Sequence, residues 1–327
     1  MSSIPISELA EATILHLIAA LESLTDGELA VDILVACGSR TVPFLSHLLL
    51  DGPPQSIAAP RCLAVRALGG LGEKHILLQY LRTWKHPADP AVTMAEDAVR
   101  SAAAKELLRW PSQEVFDVLM VCIRERASLG LVEALGAFGR AEAVSVLFHV
   151  LLDDICGNAA IEMLRRTPEH TKAFALQLLA ASSLEGEQAP STLYMLRSTL
   201  VLLLGMKVSK TEWASISHLL DWADAEIVIT CAEIGMCTAS VKEHPAIISN
   251  IFRILPDCNW RQESRAIELL ELCKSLASSA ARTKRDQLIN SGSLIKFSES
   301  HVAHDKYTSR VEGKKPCRMK FVSLFPM

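Results

Sequence analysis

One passage of this chain occurs twice. Val65-Arg-Ala-Leu-Gly-Gly-Leu-Gly72 and Val132-Glu-Ala-Leu-Gly-Ala-Phe-Gly139 agree at five of eight positions and lie 67 residues apart. Breaks at comparable points run from Gly38 through Gly72, Pro111, Gly139, Pro168 and Gly205 to Gly235. That is 197 residues in six intervals of 28 to 39, about 33 each. A recurrence of this length is the mark of units that stack along one dimension, because each is too small to bury its own apolar face.

Between the breaks the apolar residues recur at helical spacing. Leu77, Tyr80, Leu81 and Trp84 sit at i, i+3, i+4 and i+7, as do Val115, Val118, Leu119 and Cys122, and Val144, Leu147, Phe148 and Leu151. The spacing returns at Ile248, Ile251, Phe252 and Leu255, and at Leu269, Leu272, Cys273 and Leu276. Each set predicts one apolar stripe on a helix. Strand-like alternation is absent before residue 290, so the expected body is all-α. At 327 residues the chain exceeds the usual size of a single core, which leaves two domains or a stack. Half the residues are hydrophobic and only 5% aromatic, which excludes a disordered chain. Nine cysteines with no CxxC pair predict reduced thiols in a cytoplasmic protein.

In such a unit the first helix ends at glycine, which adopts the left-handed cap conformation without a Cβ penalty, and a second helix follows directly. Acidic turns close the second helices: Asp51, Asp153 and the Asp221 to Asp224 stretch, each placed to N-cap the next unit. Together with Ala98-Val-Arg-Ser-Ala-Ala-Ala-Lys-Glu-Leu107, these units resemble HEAT repeats of the short, PBS-lyase HEAT-like type, over roughly residues 26–240. The resemblance implies a right-handed α-solenoid of stacked helical hairpins, an armadillo-like superhelix. Residues 51–60, the stretch from Asp89 to Asp97 and residues 183–191 depart from the pattern.

The expected organisation is an N-terminal capping helix over 1–25, with Ser7 as N-cap and Glu8, Glu11 and Glu22 facing solvent. The solenoid follows over 26–260, then a C-terminal capping helix over 261–282. Residues 283–327 read as a basic tail, flexible or folded into a small hairpin from two β-prone runs. The net charge of −4 divides unevenly: residues 1–281 carry 23 basic and 33 acidic side chains, and residues 282–327 carry 10 and 4. The acidic body is a poor nucleic-acid surface, whereas the tail has the charge for one. No secretory signal and no membrane span is expected, since the longest apolar run, Thr199 to Met206, is far too short.

Catalytic and metal motifs are missing. None of the ten histidines is followed by glutamate, which excludes the repeated His-Glu pairs of deoxyhypusine hydroxylases, themselves HEAT proteins. Cys231 and Cys237 fall about 120° apart on one helix, so with His244 they make a poor metal set. Gly69-Gly-Leu-Gly72 ends a helix instead of opening one, which makes it a cap and not a phosphate loop. No nucleophile elbow is present. The expectation is therefore a protein that is not an enzyme and holds no cofactor and no metal. In the HEAT resemblance the second helices line the concave surface that binds protein partners. By that resemblance His47, Arg82, Trp84, Arg124 and His149, with Gln79 beside them, are the candidate partner-binding residues. Trp84 also completes a core stripe, which leaves it open between packing and contact. The resulting expectation is a non-enzymatic scaffold or adaptor. The alternatives are a bilin-lyase-like tetrapyrrole chaperone or lyase, which the repeat subtype implies, and nucleic-acid contact through the basic tail.

Overall fold

The computed structural model describes residues 6–23, 25–182 and 189–274, and among these there is no strand. The helices are α1 (Ile6–Ala20), α2 (Gly27–Ala36), α3 (Val42–Ser46), α4 (Ala59–Leu71), α5 (Lys74–Thr83) and α6 (Pro90–Leu107). They continue as α7 (Gln113–Glu125), α8 (Leu129–Ala137), α9 (Ala141–Val150), α10 (Gly157–Arg165) and α11 (Pro168–Ala180). The last are α12 (Pro190–Leu204), α13 (Lys210–Ile216), α14 (Ala225–Thr238), α15 (His244–Ile254) and α16, which spans 260–274. The tail of 283–327, its β-prone runs and the end of the closing helix lie outside the described residues.

Packing follows chain order in two interleaved series. From α2 to α10 each even-numbered helix lies on the next even one, and α12 lies on α14. From α5 to α13 each odd-numbered helix lies on the next odd one. Helices adjacent in sequence pack across the two series, so the apolar stripes meet between them. Leu77, Tyr80, Leu81, Val115, Leu119, Val144, Leu147 and Phe148 are all buried there. Two stripes differ from the spacing read in the sequence. In α15 the buried set is Ile247, Ile251 and Ile254, and Phe252 is exposed; in α16 Leu269 and Cys273 are buried and Leu272 is exposed.

The duplicated octapeptide does the same two things in both places. Its last glycine, Gly72 or Gly139, takes a positive φ (84° and 63°) and turns the chain into the next helix. Its first glycine brings helices together: a Cβ on Gly69 would meet Glu106 of α6, and one on Gly136 would meet Met163 of α10. Gly38 also has positive φ, at 72°. Gly235 is different. It lies inside α14, where its bare backbone accommodates the Trp213 ring, so it is not a helix end.

The acidic turns divide likewise. Asp224 accepts from the Ile227 amide at 3.0 Å and caps α14, and Asp153 accepts from the Ile155 and Cys156 amides ahead of α10. Asp51 caps nothing; it bonds to His47 in a widened turn, where the Gly52 amide reaches back to the His47 carbonyl at 2.9 Å. Ser7 lies within α1, which has begun by Ile6, so it does not precede the helix as an N-cap.

Three second-helix ends are closed by arginines from other helices, Arg61 and Arg100 buried and Arg253 exposed. Arg61 on α4 donates to the Leu49 carbonyl at 2.7 Å. Arg100 on α6 donates to the Cys122 and Arg126 carbonyls at 3.0 and 3.3 Å. Arg253 on α15 donates to Leu220 and Trp222 at 2.7 and 2.9 Å. Each adds a donor to carbonyls at a helix C-terminus, where intrahelical partners run out.

Candidate partner groove

Three helices of the odd series, α5, α7 and α9, lie side by side and present their outer faces to solvent. Their inner residues are held by the core stripes, which fixes the outward direction of the rest. On α7 the outward set is Glu114, Asp117, Val121 and Glu125, spaced i, i+3, i+7 and i+11, with the buried Val118 beneath it. This stripe is the feature the sequence reading missed, because only the buried stripe of the same helix drew attention.

Between α5 and α7 runs an open groove of about 530 Å³. Leu81, Val118, Val121 and Cys122 form its apolar floor, and Arg82, Glu114, Asp117 and Glu125 its polar walls. Between α7 and α9 lies a second groove of about 500 Å³, lined by Ile123, Arg124, Ala127, Val146, His149 and Asp153 among others. A third, of about 350 Å³, lies at the C-terminal ends of α5 and α7 between Trp84, His86, Glu125 and Arg126. It shares Glu125 with the first.

Four of the five residues expected to bind a partner therefore come together on these grooves. Arg82 lines the first, Arg124 and His149 face each other across the second, and Trp84 lines the third. His47 lines none of them; it is exposed and its Nδ1 lies 3.1 Å from Asp51. Trp84 is half-buried. One face is covered by the Arg100 guanidinium at 3.9 Å from the ring centroid, and His86 stacks nearby at 5.9 Å.

The polar groups differ in how far they are already occupied. Glu114 accepts from Arg82 at 2.9 Å and from Lys74 at 3.2 Å, and those bonds hold its carboxyl below the usual carboxylate range. Arg126 is bidentate on Asp97 through its Nε, at 3.0 and 2.8 Å. The His149 ring bonds to the Ser145 carbonyl at 2.7 Å. Asp117 accepts only from the Gln113 amide, at 2.7 Å, and Glu125 has no ion-pair partner among the described residues.

Burial pushes the Cys122 thiol up, and it donates to the Leu81 carbonyl, so it is packed and not a nucleophile. Among the described residues no group of three or more His, Cys, Asp or Glu side chains is placed to hold a metal. Cys231 is buried while Cys237 is exposed, as their angular separation on α14 requires. No described helix is long and apolar enough to cross a membrane. Comparison with family models, with curated proteins and with solved structures gives no match to this chain.

Proposed function

We propose that the chain is a scaffold or adaptor without catalytic activity, a right-handed HEAT-type α-solenoid that holds a protein partner on the face formed by α5, α7 and α9. The gathering of Arg82, Trp84, Arg124 and His149 on adjoining open grooves carries this reading. These residues come from three successive odd-series helices, Arg82 and the C-cap Trp84 from α5, Arg124 from α7 and His149 from α9, and nothing in the core requires arginine or histidine at Arg82, Arg124 or His149. Arginine and tryptophan are favoured where protein surfaces meet. The open, shallow form of the grooves suits a polypeptide better than a small molecule, which favours deeper enclosure.

Site-specific photo-cross-linking tests it. A cross-linking residue replacing Val121 or His149 should trap the same protein in cells. The same group in place of Met94, exposed on α6 in the other helix series, should trap none. No product from any position, or an equal yield from all three, would overturn the assignment.

A further inference from the structure

The kind of segment the first groove accepts can be read from α7, granted that its face is the partner surface. Asp117, Val121 and Glu125 recur every four residues, so the helical rise of about 1.5 Å per residue spaces them by about 6 Å. Alternate side chains of an extended chain share a face and repeat at about 6.6 Å. The two spacings match over three positions.

The charges around them set the sign. Arg82 and Lys74 both point to the groove end where Glu114 holds them. Arg124 turns into the neighbouring groove and Arg126 is bound to Asp97. Arg140 donates to Gln113 at 2.7 Å and covers the Phe116 ring. Along the groove Glu114, Asp117 and Glu125 thus stand against one cation, Arg82, which Glu114 already holds, and between the carboxylates Val121 is 53% exposed over a floor of Leu81 and Val118.

We propose that the groove between α5 and α7 binds an extended basic segment of a partner protein with the pattern basic, any, aliphatic, any, basic. The aliphatic side chain sits on Val121, Val118 and Leu81, and the two cations lie on Asp117 and Glu125.

Fluorescence anisotropy with the full chain at low salt tests this. The probes are labelled peptides containing Lys-Ser-Leu-Ser-Lys, the reordered Lys-Lys-Leu-Ser-Ser, and Glu-Ser-Leu-Ser-Glu. The first should bind best. D117N/E125Q should weaken it about fivefold, the loss of two exposed ion pairs, and V121S about threefold, by removal of aliphatic contact. D117K/E125K should shift the preference to the acidic peptide, a gain that misfolding does not produce; circular dichroism checks that the helices persist. Equal binding of the reordered peptide, or affinity unchanged in D117N/E125Q, would overturn the proposal. So would self-association of the chain that V121S abolishes, since the occupant would then be a second copy. A cross-linked partner at Val121 that contacts it through an acidic or neutral segment leaves the scaffold reading standing and removes this one. Peptide binding in the expected order without any cross-linked protein does the reverse.

Discussion

Arg100 gathers several interactions in one fully buried side chain. It caps two carbonyls at the end of α7, lies on Trp84, and has Asp97 at 3.6 Å. Removing it takes the side-chain donor from two carbonyls, leaves Asp97 to Arg126 alone, and opens space beneath the indole. We expect R100A to cost about 2–4 kcal/mol, from the hydrogen bonds of a charged donor that it loses, read from chemical denaturation. At the same scale, burial and the Asp153 carboxylate push the Cys156 thiol from its ordinary 9.0 up to about 12. A raised pKa means the folded state favours the proton. The stability this thiol contributes is complete below pH 9.0 and is lost as pH rises through about 12. C156A should show a shallower alkaline decline in its urea midpoint than the parent. Thiol labelling of a C317S variant should find Cys37 and Cys237 fast and Cys122, Cys231 and Cys273 slow, following exposure.

At the scale of the element, glycine against neighbouring helices decides more than helix propensity does. A Cβ on Gly130 would lie 2.5 Å from the Ser101 carbonyl oxygen, which belongs to backbone and cannot move aside cheaply. G130A should therefore destabilise by about 1–3 kcal/mol, although alanine is the better helix former by about 1 kcal/mol. G205A, with open space around it, should shift the thermal midpoint little. Asp224 joins two tasks, capping α14 and pairing with Arg197 of α12. D224A should lose both and cost about 2 kcal/mol, whereas D224N keeps the cap and should lose less than half of that. These contrasts also explain what was legible in the sequence. Helix positions followed from apolar spacing because burial acts on every turn, and Gly72 and Gly139 were readable as helix ends because left-handed backbone selects glycine. Gly235 misled because close packing selects glycine equally well, and spacing does not distinguish the two causes. On α15 the stripe was read one position off, since Ile247 and Ile248 are both isoleucine and only packing chooses between them. Four candidate site residues gathered because they share one series of helices. The acidic wall at Asp117 and Glu125 went unread because solvent-facing carboxylates leave no periodic signature of their own.

On the scale of the whole molecule, contacts run mainly to helices next or next but one in the chain, and the stack proposed above predicts a stability that is a sum of local interfaces. Leu147 is buried in α9, and L147A should cost about 2–5 kcal/mol. Hydrogen exchange should find protection lost around α7 to α11 while α14 to α16 keep theirs. Simultaneous loss across all described helices would contradict this. The chain's own connections then differ in what they tolerate. Within a unit, Gly72 and Gly139 set tight corners of a residue or a few, whose backbone angles permit nothing extra. Between units, the ends of second helices at residues 52–58 and 126–128 are sealed largely by Arg61 and Arg100 reaching across from a first helix, with one local amide bond at each. The cap and the loop are thus made mostly by different residues, and length can change in one without disturbing the other. An insertion of several residues after Gly52 should leave the fold intact, while the same insertion after Gly72 should abolish it. New sequence can be admitted to this architecture at alternate corners only, and the arginines mark which.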